Sequence, residues 1–108
     1  MSLETTRLKQ ELSSPRDVLA SLGLLQGSRP QAQGYWCLCP RCGQDLSVRR
    51  VAHQGRQSPL MARCQAPACI NGDVFSLIEA VARTQDFRET LNFATRLSSH
   101  IKAHYAAR

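Results

Sequence analysis

Two short cysteine turns carry the most chemistry in this sequence. The first is Cys39-Pro40-Arg41-Cys42, with Gly43 directly after it, and the second runs from Cys64 to Cys69. Two thiolates separated by two residues on a tight turn can face one tetrahedral ion, and backbone amides beyond them can steady the sulfurs. The four residues between Cys64 and Cys69 still fall within the spacing of such turns. Twenty-one residues lie between Cys42 and Cys64, enough for a strand out and a strand back. The expected layout is a zinc ribbon with one knuckle at each end, holding one structural Zn2+ on Cys39, Cys42, Cys64 and Cys69. A closed set of four thiolates leaves no coordination position for water, so the metal is expected to support the fold and not a reaction. Buried free thiols and a redox pair at Cys39 and Cys42 are the competing readings, and two turn-bound pairs favour the metal. The fifth cysteine, Cys37, is expected to pack in the core. His53, in an Ala-His-Gln-Gly stretch, is expected to be a solvated histidine and not a ligand.

Little else in the chain offers catalysis. The eight carboxylates are scattered, with no close pair on a strand to clamp magnesium. Neither a glycine-rich phosphate loop nor a nucleophile elbow is present. The chain is therefore expected not to be an enzyme by itself. Its charge is more telling: 14 Lys+Arg against 8 Asp+Glu give a net +6, and twelve of the cations are arginine. A planar guanidinium suits phosphates and base edges better than an ammonium point charge does. Between residues 37 and 63 lie Arg41, Arg49, Arg50, Arg56 and Arg63 against Asp45 alone. Tyr35 and Trp36, just before the first knuckle, are candidates for stacking on bases, with core packing as the alternative for both. Arg49 and Arg50 are neighbours on a predicted strand, so at most one of them belongs to a given binding face.

These residues must be positioned by a chain of only 108 residues, of which 43% are hydrophobic and 6% aromatic. A core of that size benefits from a metal staple. Residues 1–25 read as helical, with Leu3, Leu8 and Leu12 on a first short helix. A second helix starts at Ser14-Pro15-Arg16-Asp17, where Ser14 is the N-cap and Pro15 opens the first turn; Gly23 is placed to end it. Residues 26–71 hold four of the five prolines and four of the six glycines. Gly27 to Pro30 and Gln33-Gly34 read as loops there, with β-prone runs at Gly34 to Leu38, Leu46 to Val51 and Leu60 to Cys64. Residues 72–107 read as helical again. Asp73 caps a helix with Val74, Leu77, Ile78 and Val81 on one face, and Asp86 begins a longer one. That last helix carries an apolar stripe of Phe87, Leu91, Ala94, Leu97, Ile101 and Tyr105. Its first half reads as core, and for its second half the alternative to core is that it outruns a small ribbon and exposes Ile101 and Tyr105 as a partner face. The fold class is thus α+β, a single domain over 1–108 with the ribbon at 34–71 between helical ends. No apolar run is long enough for a membrane span, and the N-terminus lacks the order of a signal peptide, so the expected location is cytoplasmic.

One longer arrangement extends this reading. A short helix is followed by Trp36-Cys37-Leu38-Cys39-Pro40-Arg41-Cys42, a strand Leu46-Ser47-Val48-Arg49, and the turn from Cys64 to Cys69. Gly72-Asp73-Val74-Phe75-Ser76-Leu77-Ile78 comes next, and then Phe87-Arg88-Glu89-Thr90-Leu91 with Ala94. This resembles the zinc-binding domain of DnaG-type bacterial and phage primases over residues 14–98. Two departures stand out: Cys42 occupies the place where that family usually has histidine, and the second turn is two residues longer. The resemblance implies a module that contacts single-stranded template DNA and assists primer synthesis and DNA replication in a phage, plasmid or other mobile element. The catalytic polymerase or primase subunit would then act in trans or follow in a longer chain. In the nucleic-acid role the candidates are Arg41, Arg49, Arg50, Arg63, Tyr35 and Trp36. The rival reading is a zinc-stabilised adaptor that docks on a polymerase or helicase.

Overall fold

The architecture, taken from a computed structural model, is described for residues 3–51, 60–66 and 69–106. His53 and Arg56 therefore lie outside the described residues. Two helices come first, α1 (Leu3–Glu11) and α2 (Pro15–Ser21). α2 begins as its sequence dictates: Pro15 sits in the first turn, and Ser14 Oγ accepts the Asp17 amide at 3.3 Å. Leu22 closes it, and Gly23 follows with φ +76.

Five strands then form one sheet: β1 (Arg29–Gln31), β2 (Gly34–Leu38), β3 (Asp45–Arg50), β4 (Leu60–Cys64) and β5 (Asn71–Asp73). They lie in chain order, each antiparallel to the next, so every connection is a local hairpin. The three longer strands match the β-prone runs of the sequence to within a residue at each end. β1 and β5 are additional. Arg29 and Pro30, expected to belong to a loop, pair together with Gln31 against Trp36, Tyr35 and Gly34 across a turn in which Gln33 takes φ 66. Gly34 is required at that hairpin, because a Cβ there would sit 2.1 Å from the Val48 carbonyl oxygen and 2.6 Å from Arg49 Cα.

The chain then passes directly from β5 into α3 (Val74–Ala82) and on to α4 (Phe87–Ala106). Asp73 caps α3, its Oδ1 accepting the amides of Phe75 at 3.0 Å and Ser76 at 3.3 Å. Asp86 Oδ1 accepts the Glu89 amide at 2.8 Å, and Glu89 reaches back to the Gln85 amide at 2.7 Å, a reciprocal cap for α4.

Strand alternation decides which side of the sheet is core. Cys37, Leu46, Val48, Leu60, Ala62 and Cys64 point to one face and are all buried. α2 lies against β2 and β3 on this side, and α3 against β4 and β5. α4 packs across α1, α2 and α3 as an outer layer, burying Ala94, Leu97 and Ile101. The alternative that Ile101 and Tyr105 both lie bare fails for Ile101, which is only 8% exposed. Tyr105 is half exposed, and its hydroxyl donates to the Asp17 carboxylate at 2.7 and 2.8 Å, fixing the end of α4 to α2. Glu11 ties α1 to the same helix: it accepts from Ser98 Oγ at 2.9 Å and pairs with Lys102, which holds its carboxyl below the usual range. The N-terminal helices thus supply the partner that a ribbon alone lacks. At the other end of the stripe Phe87 is exposed, resting edge-on against Phe75 at 5.6 Å. None of the described helices is long and apolar enough to cross a membrane.

Candidate metal centre and nucleic-acid interface

The two cysteine turns sit at one end of the sheet, where β2 and β3 join and where β4 leaves it. In the first, the Cys39 amide donates to the Gln44 carbonyl at 2.8 Å and the Gly43 amide to the Cys39 carbonyl at 2.9 Å. Gly43 takes φ +78, the left-handed conformation that lets this knuckle close without a Cβ penalty. In the second, the Cys64 amide donates to the Ile70 carbonyl at 2.7 Å. A further bond, Gln65 amide to Asp45 carbonyl at 3.0 Å, ties the start of β3 to the end of β4.

This framework brings Cys39, Cys42, Cys64 and Cys69 together, with one sulfur from each and all four within 4.8 Å of one another. Cys42 and Cys64 are 3.4 Å apart, and Cys69 lies 3.6 Å from both Cys39 and Cys42. The two knuckles share a detail. In each, the amide two residues after the first cysteine donates to its sulfur at 3.4 Å, Arg41 to Cys39 and Ala66 to Cys64. The cluster can hold one metal ion. Cys39 and Cys64 are buried beneath it, while Cys42 is exposed and Cys69 half-buried.

The thiols are tuned unequally. Burial raises the Cys39 pKa, but the amides of Arg41 and Cys42 and the neighbouring thiols outweigh it and bring Cys39 down to about 7. Burial pushes Cys64 up to about 12, and it raises Cys69 as well. Cys37 stands apart from the cluster in the buried face of β2, where desolvation and the nearby Cys39 lift it to about 11. It packs in the core, as the sequence led one to expect.

The face of the sheet away from the helices carries the second candidate site. Trp36 of β2, Ser47 and Arg49 of β3, and Met61 and Arg63 of β4 line an open groove of about 670 Å³ there, with Gln31 of β1 at its side. No carboxylate among the described residues pairs with Arg49 or Arg63; the Asp45 carboxylate is engaged by Arg29 at 3.2 Å. Of the six sequence candidates, the fold gathers Trp36, Arg49 and Arg63. Tyr35 alternates to the helix side and packs against the core, and Arg50, opposite Leu60 at the end of β3, belongs to the same side. Arg41 belongs to the first knuckle, beside Arg83 and Glu79 of the α3 end. Gln31 and Asn71 are lining residues that the sequence did not single out. Both lie on three-residue strands without alternation, so nothing local marked their facing. Compared with protein-family models, with curated proteins and with solved structures, the chain matches none.

Proposed function

We propose that this chain is a zinc-stapled module that binds single-stranded DNA and assists primer synthesis by a polymerase or primase core acting in trans. Zinc is the ion that suits the centre. Four thiolates are its preferred structural donor set, and zinc–sulfur bonds of about 2.3 Å place tetrahedral sulfurs about 3.8 Å apart, close to the spacings here. Cys39, Cys42, Cys64 and Cys69 would hold it and fill its shell, so its part is to fix the sheet and not to activate a water.

The observation that carries the proposal is the groove on the sheet face that the described helices leave open. A lone aromatic ring beside two arginines without acidic partners offers a base something to stack on and the flanking phosphates something to pair with. Stacking tolerates any base, whereas a duplex hides its base faces, so single strands are favoured. A template held this way raises the effective concentration of template at the catalytic core, which is how a module without chemistry of its own can assist initiation. The resemblance to primase zinc-binding domains points the same way.

The test is oligonucleotide binding followed by fluorescence, since Trp36 is the chain's one tryptophan. Single strands are expected to quench its emission and to bind more tightly than duplex, with affinity falling steeply between about 50 and 200 mM salt. Arg49→Ala and Arg63→Ala should each weaken binding by roughly 1 kcal/mol. With its cognate core, the chain should increase initiation on single-stranded template and make no primers alone. Absence of oligonucleotide binding at low salt would sink the proposal and leave the adaptor reading in its place.

A further inference from the structure

One polar group on the open face has its orientation fixed by the fold. Gln31 Nε2 donates to the Tyr35 carbonyl at 3.1 Å and to Ser47 Oγ at 2.8 Å. A carbonyl oxygen can only accept, so the amide nitrogen must face it, and the two ends of this side chain are not interchangeable. An amide nitrogen has two hydrogens, and both are now used. What Gln31 has left is Oε1, a pure acceptor. Among the described residues the Gln31 side chain makes no further hydrogen bond. The nitrogen thus serves the β1–β2–β3 junction, while the oxygen bonds no described residue. It belongs to a side chain that lines the same groove as Trp36, Arg49 and Arg63.

Resting on the reading of this groove as a single-strand site, we infer that Gln31 selects the base that stacks on Trp36. A base whose exocyclic amino group projects from the ring donates to Oε1 and completes it. Cytosine has such a group. Thymine carries a carbonyl at the equivalent position, which would set acceptor against acceptor. Its one edge donor, N3–H, lies between two carbonyl oxygens that both repel an incoming acceptor. The arginines contribute equally to either base, because their partners are phosphates. Gln31 therefore contributes selectivity and the arginines affinity.

The experiment compares oligodeoxycytidylate with oligothymidylate of equal length at low salt, by fluorescence anisotropy on the metal-loaded protein. The cytidine strand is expected to bind about fivefold more tightly, the share of one neutral hydrogen bond. Gln31→Leu should bring the cytidine strand to the level of the thymidine strand and leave the latter little changed. Ser47→Ala frees one amide hydrogen of Gln31, gives the site a donor, and should narrow the preference. If Gln31→Leu fails to retain metal and native circular dichroism, Ser47→Ala decides the question alone. Equal binding of both strands by the wild type, or a preference untouched in the variants, overturns the inference while the single-strand reading stands. Binding of neither strand overturns that reading and the inference with it.

Discussion

At the scale of single residues, the cysteines divide into four that share a centre and one that does not. Cys64→Ser is expected to lose the metal and the knuckle fold, whereas Cys37→Ser should retain one metal per chain; metal content after gel filtration reads both. The thiol pKa values set a direction for pH. Cys64, at about 12, and Cys69, raised by burial, hold their protons in the metal-free fold at neutral pH, so an incoming ion must displace them. Metal affinity therefore rises with pH. Cys39, at about 7, also takes up a proton as pH falls, which steepens the loss below about pH 7. Competition with a chelating dye at pH values on either side of that point checks the slope, and a pH-independent affinity would contradict it. The cysteine pairing was legible in the sequence because its signal is local, two turns of fixed spacing. The division of Tyr35 from Trp36 was not, since it depends on which face of β2 the helices cover.

At the scale of elements, Asp73 joins the second knuckle to α3. Its carboxylate caps two amides of the helix and lies 3.2 Å from Lys9 of α1. Asp73→Ala is expected to cost about 1–2 kcal/mol through the lost cap. Lys9→Ala should cost no more than about 1 kcal/mol, since a partly exposed ion pair contributes little. Urea unfolding of the two metal-loaded variants separates these contributions, and a larger loss for Lys9→Ala would reverse their order. The helices were readable because caps and apolar periodicity reinforce one another at Ser14, Asp73 and Asp86. The three longer strands were readable from their β-prone composition. β1 and β5 were not, because three residues containing proline or glycine show no alternation, and only pairing with a neighbour makes them strands. The burial of Ile101 was hidden for a related reason. Its cover comes from helices some eighty residues earlier, a contact no local pattern reports.

At the scale of the whole molecule, the metal centre and the open groove belong to one sheet, with Cys64 and Arg63 adjacent on β4. Binding of an ion to a centre that the unfolded chain lacks contributes directly to folding free energy. Chelation should therefore lower the stability of the sheet and weaken oligonucleotide binding together, and readdition of zinc should restore both. Binding unchanged by complete removal of metal would separate the groove from the centre. The same sheet has two outer borders, and a border with free peptide groups invites a second chain to pair with it. β1 forms one of them, and its middle residue, Pro30, has no N–H to offer. The proline thus leaves the outer side of β1 without a donor at its middle position, which works against strand-to-strand aggregation. Pro30→Val is expected to keep its metal yet scatter light increasingly as concentration rises; a variant as monodisperse as the parent would mean that the border is protected by something else.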